Sequence, residues 1–428
     1  MRTVVIGAAG HIGTYLIPML VDNGYETIAI TRKMSQPYED APAWHKVERV
    51  LLDREKDPDF IEKLKAMKPD VIVDLVNYHA AETKKIVDGF LDSGLSHYLY
   101  CSSCWAHGMA ETIPFDPDDW KKEPFDDYGK DKLASEMYLR EQYRKNGFPA
   151  TIVMPGQISG PGWTIINPWG NTSIRVFQEI ADGKEIALPN FGQEILHHVH
   201  GCDVAQVFYQ AIVHRNRALG EAFDAESADH VTLYGFAKHM YEYFGREPKI
   251  RFLPWPEWCA YEGSPEECEH TYCHIARSGV FSIEKAKRLL GYKPKFSCLE
   301  TIDLAVKAIL TEDFSISQAD DFRVSERESC ESNTLSPFDR MKKTCMVEFR
   351  GDRYAQQYEK NPCLYAICHY ARIFGELRTA DGGRIRCIQP IRRIGCISAA
   401  RSYPGNACRF ADGQRILWRR RRVHTNGI

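Results

Sequence analysis

The sequence predicts an α/β protein: a doubly wound parallel sheet, a smaller C-terminal substrate lobe and an irregular C-terminal tail. Three observations carry this. The chain opens on Thr3-Val4-Val5-Ile6-Gly7-Ala8-Ala9-Gly10-His11-Ile12-Gly13, an apolar β-type run that breaks into three glycines and then into helical spacing. β-type runs and helix-type stretches alternate from there to Pro155. Beyond about Thr311 the periodicity stops and the charge balance reverses.

The opening run justifies itself residue by residue. Four consecutive β-branched residues, Thr3 to Ile6, suit a strand buried on both faces, and Ile12, Leu16, Met19 and Leu20 recur at helical intervals. Gly7 permits a tight turn, and Gly10 lets the backbone approach a pyrophosphate. Gly13 lets the helix pack closely, with its positive N-terminus aimed at the phosphates. In strand-loop-helix context this Gly-x-x-Gly-x-x-Gly reads as a Rossmann-type nucleotide site, against the plainer reading of a generic turn.

The second strand, Glu26 to Thr31, follows a helix ended by Asn23-Gly24. An NAD site usually places an acidic residue at the end of this strand to hold the ribose hydroxyls, whereas here Thr31-Arg32-Lys33 stands. That favours NADP over NAD, with a solvated basic loop as the alternative. Val47 to Leu52 leads to Asp53, which suits an adenine contact or a turn. Further strands are expected at Val71 to Val76, His97 to Cys101 and Ala150 to Pro155, with helices from about Ala81 to Leu91 and Tyr128 to Asn146. Such alternation predicts parallel strands joined by right-handed crossovers. Later helices are expected at 172–182, 203–214, 232–244 and 299–311.

At 428 residues the chain exceeds one hydrophobic core. The expected organisation is 1–155 as the NAD(P)-binding domain with some return of the following chain, 156–312 as substrate lobe, and 313–428 as a basic, cysteine-rich, disordered tail. No run approaches the roughly 18 apolar residues of a membrane span, and Met1-Arg2 lacks a secretion signal's pattern, so the expected compartment is the cytoplasm. The 14 cysteines are then expected to be free thiols. A net charge of -3 hides an uneven split. Residues 316–428 carry 21 Lys+Arg against 12 Asp+Glu, a balance of +9, and residues 1–315 carry 34 against 46, a balance of -12.

Two stretches at the carboxyl ends of neighbouring strands hold the chemistry: Cys101-Ser102-Ser103-Cys104-Trp105-Ala106-His107-Gly108 and Tyr128-Gly129-Lys130-Asp131-Lys132. On a helix Tyr128 and Lys132 share a face, so the ammonium can lower the phenol's pKa and make it a general acid/base. Ser103 can hydrogen-bond and polarise the same substrate oxygen.

Together, the glycine loop, Ser-Ser about 90 residues later, and Tyr-Gly-x-x-Lys 25 residues after Ser103 resemble the extended short-chain dehydrogenase/reductase family, in its NAD-dependent epimerase/dehydratase group. The resemblance covers about 1–312. It extends to Met154-Pro155-Gly156-Gln157-Ile158-Ser159-Gly160-Pro161-Gly162, to His198-Val199-His200-Gly201-Cys202-Asp203-Val204-Ala205, and to Lys285-Ala286 with Leu289-Leu290-Gly291-Tyr292-Lys293-Pro294. It implies that Ser103, Tyr128 and Lys132 are catalytic. Gly7, Gly10, His11, Ile12, Gly13, Arg32, Asp53, Val76 and Pro155, with Tyr128 and Lys132, would line the cofactor. The implied activity is that of an oxidoreductase or epimerase at a secondary alcohol or ketone of a small hydroxylated, sugar-derived substrate, in a homodimer. The alternative is an NAD(P)-sensing or RNA-associated binder on the same fold.

Two departures bear on substrate. Leu196-His197 stands where nucleotide-sugar members carry a diphosphate-gripping arginine. Cys104-Trp105 stands where sugar dehydratases carry Asp-Glu, which argues against dehydration by that route. No metal is expected, because the imidazoles of His197-His198-x-His200 face both ways and Cys259, Cys268, Cys273 and His274 lack zinc-site spacing; Cys101-x-x-Cys104 falls at the serine strand end, which argues against a thiol switch. Pro161-Gly162-Trp163, Asn167-Pro168-Trp169-Gly170-Asn171, Trp255, Trp258 and Tyr261 read either as a pocket wall or as packed loops. The tail ending in Trp418-Arg419-Arg420-Arg421-Arg422 reads as disordered, or as an out-of-frame or unspliced translation, rather than as a basic arm for nucleic acid or an acidic partner.

Overall fold

The computed structural model describes residues 1–119 and 121–310, and four short strands beyond them. The expectations for Trp418 to Arg422, and for a disordered tail, lie outside the described residues. In residues 333–428 the described strands form two antiparallel pairs, Leu377–Arg378 with Arg384–Ile385 and Ala407–Arg409 with Arg415–Leu417.

The N-terminal unit follows the alternation read from the sequence. β1 (Arg2–Ile6), α1 (His11–Asp22), β2 (Glu26–Thr31), β3 (Glu48–Leu51), α2 (Phe60–Ala66), β4 (Val71–Asp74), α3 (Ala80–Phe90), β5 (His97–Cys101), α4 (Asp127–Asn146) and β6 (Ala150–Pro155) succeed one another. The chain continues through β7 (Gln157–Ser159), α5 (Arg175–Ala181), β8 (Ile186–Pro189), β9 (Ile195–Leu196), β10 (His198–His200), α6 (Gly201–Val213) and α7 (Arg215–Ala218) to β11 (Ala222–Ala225). β12 (Val231–Thr232), α8 (Leu233–Tyr243), β13 (Ile250–Leu253), α9 (Trp255–Glu262), α10 (Pro265–Ile275), α11 (Glu284–Leu290) and α12 (Cys298–Leu310) complete it.

The central sheet has seven strands in the order β11-β6-β5-β4-β1-β2-β3, every pair parallel. Its strands are apolar on both faces because both are covered. Ile12, Leu16, Ile17 and Leu20 of α1 join Val204, Phe208 and Ala211 of α6 on one side. Ile86, Val87 and Phe90 of α3 and Leu139 of α4 pack on the other. A separate core, with Trp169, Phe177, Leu188, Phe236, Trp258 and Ile302, holds the later lobe together.

Several expectations are corrected here. Cys259 and Cys268 are disulfide-bonded rather than free, because the turn between α9 and α10 brings their Cα atoms to 5.7 Å. Cys101, Cys104, Cys202 and Cys298 are free thiols. α5 starts at Arg175, not 172, because Asn167 and Asn171 knit the preceding loop: their amides bond each other at 2.6 Å, and Asn167 also binds the Ser173 carbonyl. The buried Trp169 and Trp258 pack within the core of the later lobe. No helix among the described residues is long and apolar enough to cross a membrane.

Candidate functional site

The loop after β1 turns at Gly7, whose φ of 81° suits glycine, and Gly7 and Ala8 both donate to the Ile30 carbonyl of β2. The glycines are required by space as well. A Cβ on Gly13 would fall 1.9 Å from the Ala8 carbonyl oxygen, and one on Gly7 would fall 2.6 Å from Val76. Thr14 N–H donates to Gly10 in the first intrahelical bond, so the N–H groups of His11, Ile12 and Gly13 are the first-turn donors that point out of α1. A glycine cradle under a helix N-terminus fits a dinucleotide pyrophosphate. His11 is buried beneath the loop that follows β7. Its ring stacks on Trp163 at 5.0 Å and meets Tyr38 edge-on at 5.4 Å, and burial pushes its pKa down to about 3.

Arg32 lies exposed just past β2, and its charge reaches the Tyr78 phenol. Asp53 accepts the Glu55 N–H at 3.0 Å through Oδ1, a local turn that fixes the carboxylate. Pro155 ends β6, buried.

Ser103, Tyr128 and Lys132 come together. Ser103 caps a short turn at Cys104–His107, its hydroxyl accepting the Trp105 N–H at 3.2 Å, and also hydrogen-bonds the Tyr128 phenol. α4 is started by Asp126, which accepts the Gly129 N–H at 2.7 Å. One turn in, Lys132 sits 5.4 Å over the Tyr128 ring, its Nζ donating to the carbonyls of Asn77 (2.7 Å) and Cys101 (2.8 Å). The expected lowering of the Tyr128 pKa is not what this geometry gives. Burial dominates and raises the phenol well above its ordinary value, while the buried Lys132 is itself pushed down to about 8.

Beside this trio lies a set of buried polar groups that the sequence reading passed over. Ser102 donates to Glu136, which also holds Lys122 at 2.7 Å. Asp224 in β11 and Glu226 just past it are fully buried, and none of their four carboxylate oxygens has a hydrogen-bond partner. Burial raises both carboxyls well above the usual range. His107 lies 3.8 Å from Asp224, and the charge of Lys122 also reaches it. The available signal was two carboxylates at alternate positions in an otherwise apolar strand, Ala222-Phe223-Asp224-Ala225-Glu226.

A parallel doubly wound sheet, a glycine cradle at its first turn and a Ser-Tyr-Lys trio two strands away define a dinucleotide-dependent enzyme of the dehydrogenase kind. The model of the NAD dependent epimerase/dehydratase family matches residues 3–225, more than half of the chain, and the chain belongs to that family, an NAD-dependent enzyme of the epimerase type. The chloroplast stem-loop binding protein of 41 kDa b from Arabidopsis thaliana is 27% identical over 312 residues, 70% of this chain and 76% of the relative. The UDP-glucose 4-epimerase of Azospirillum brasilense is 23% identical over 250 residues, 51% and 70% of the two chains. Solved structures share the fold. The UDP-glucose 4-epimerase of Thermotoga maritima with UDP-glucose gives a TM-score of 0.54 at 20% identity, over 72% of this chain and 98% of that one. The Thermus thermophilus enzyme complexed with NAD gives 0.54 at 18%, over 73% and 100%.

Proposed function

We propose that the chain is an NAD(P)-dependent oxidoreductase or epimerase acting at a secondary alcohol or ketone of a small hydroxylated, sugar-derived substrate, with Tyr128 as proton donor and acceptor. The convergence of Ser103, Tyr128 and Lys132 on the same carboxyl edge of the sheet as the glycine loop supports it most. The loop donors of His11, Ile12 and Gly13, with Gly7, Gly10, Val76 and Pro155, would hold the dinucleotide, Asp53 would meet its adenine, and Arg32 favours the extra phosphate of NADP. When bound, the nicotinamide supplies hydride chemistry.

The chain's own groups handle the oxygen and its proton. In the reducing direction the Ser103 hydroxyl holds the carbonyl oxygen and Tyr128 donates its proton to it; the burial that raises the phenol keeps that proton in place until then. In the oxidising direction Tyr128 takes the proton back. The Lys132 ammonium, clamped by two carbonyls, stabilises the phenolate that donation leaves and from which the oxidising direction starts.

Fluorescence titration with NADPH and NADH is the first test, and failure of a well-folded chain to bind either overturns the reading. Tyr128→Phe is expected to cut kcat by about 10²–10⁴-fold while leaving nucleotide binding intact. Arg32→Ala is expected to weaken NADPH roughly tenfold, about 1.4 kcal/mol, and NADH hardly at all.

The name of the Arabidopsis relative favours a second reading, a chain of this fold that binds a nucleic-acid stem-loop. A gel shift of stem-loop RNA by the full-length protein, unchanged by Tyr128→Phe, supports that reading, and no shift removes it.

A further inference from the structure

The two places where the sequence departs from the pattern it otherwise resembles meet in space. Cys104, next to Ser103, and His197, between β9 and β10, are both buried, and Glu226 from the end of β11 joins them. One ligand atom from each, a thiol sulfur, an imidazole nitrogen and a carboxylate oxygen, lies within 4.8 Å of the other two. The three stand 29 to 122 residues apart in the chain, so their meeting is a property of the fold and not of one local turn.

The Glu226 carboxylate is the second and independent observation. Neither oxygen has a hydrogen-bond partner, although the residue is fully buried. It is accommodated only because Gly156 faces it: a Cβ there would fall 1.9 Å from Oε2. A buried carboxylate without a partner destabilises the fold unless a cation or a proton satisfies it.

We propose that Cys104, His197 and Glu226 form a binding site for one divalent transition-metal ion of the zinc class. The donor set selects the metal. A thiolate with imidazole and carboxylate suits Zn²⁺, whereas Mg²⁺ and Ca²⁺ take all-oxygen cages. With metal bonds of about 2.0–2.3 Å, tetrahedral ligand atoms lie roughly 3.3–3.6 Å apart, so the trio closes onto an ion with small side-chain movements. His197 retains a nitrogen for it. The Gln157 N–H is taken by the His197 carbonyl at 3.0 Å and only grazes Nδ1 at 3.3 Å. Binding replaces the Cys104 S–H bond by a sulfur–metal bond and releases that proton to solvent. Three protein ligands leave a fourth position open, the pattern of catalytic rather than closed structural zinc sites. Because Cys104 follows Ser103, such an ion neighbours the oxygen-holding end of the site.

Co²⁺ alone, added to the full-length protein, is the probe. The expected result is one equivalent retained through gel filtration, with the near-ultraviolet charge-transfer band of a cobalt–thiolate bond. Cys104→Ser is expected to lose the band, Cys202→Ser to keep it, and Glu226→Gln and His197→Gln each to weaken retention at least tenfold. Thermal melting and NADPH titration of each variant show that it is folded. Absence of the band in the native chain, or its persistence in a folded Cys104→Ser protein, overturns the proposal. Should Cys104→Ser not fold, undiminished retention by folded Glu226→Gln and His197→Gln proteins does the same.

Discussion

The two ends of the central sheet's carboxyl edge are built on opposite principles. The β1–β2 end holds its site with backbone: three glycines, a helix N-terminus and N–H donors, all within residues 7–14. The β5–β6–β11 end holds its site with ionisable side chains drawn from residues 102–107, 122–136, 197 and 224–226, nearly all of them buried. A backbone site tolerates almost no change of shape and is nearly indifferent to pH. A side-chain site tolerates conservative change in shape but is sensitive to every proton.

The sharpest way to break that contrast is Gly13→Ala. With the Ala8 carbonyl 1.9 Å from the new Cβ, we expect loss of nucleotide binding and a destabilisation of about 3 kcal/mol, read by titration and denaturant melts. A variant of native stability that still binds would show that the cradle yields.

The next effect is acid sensitivity. Burial pushes His11, His97, His107 and His198 down to about 3 and His200 and His274 to about 4. Their unfolded pKa is 6.5, so below that value the unfolded chain binds more protons than the folded one. These six rings outweigh the raised carboxyls of Asp224 and Glu226, whose effect runs the other way, so stability is highest above about pH 6.5 and falls toward pH 4. Melting temperatures across that range check it, and a flat profile contradicts the burial of these rings.

The smallest effect concerns Lys132, whose folded pKa is depressed to about 8 from 10.5. Two consequences follow with opposite sign. Fold stability rises with pH from about 8 to 10.5, because only the unfolded chain keeps the proton there. Turnover instead declines as pH rises through about 8, as the ammonium that supports Tyr128 is lost. Lys132→Arg is expected to carry that kinetic limb to higher pH, and a limb that stays put assigns it to another group.

Legibility followed the same division. The glycine loop, the six strands of the first 155 residues and the Tyr128–Lys132 helix face could be read because each is written in one continuous stretch with its own periodicity. Strand Glu26 to Thr31 and strand His97 to Cys101 match the structure at both ends. What could not be read was assembled across the chain. The pairing of Cys259 with Cys268 depends on a corner between two helices, and the approach of Glu226 to Cys104 depends on which strand lies beside β6. The Tyr128 pKa was misjudged for a related reason. Helical spacing reveals the lysine four residues on, but not the burial that outweighs it.

That β11 is the outermost strand beside β6 also has a bearing on synthesis. The ribosome releases β6 well before β11, with α5, α6 and α7 made in between. At about 5–20 residues per second the β6 edge stays open for several seconds. During that interval the nascent sheet offers an unpaired, apolar margin on which a chaperone, or another nascent chain, can settle. The strand that finally closes it carries Asp224 and leads directly into Glu226, so completion of the sheet and delivery of its buried carboxylates are one event in time.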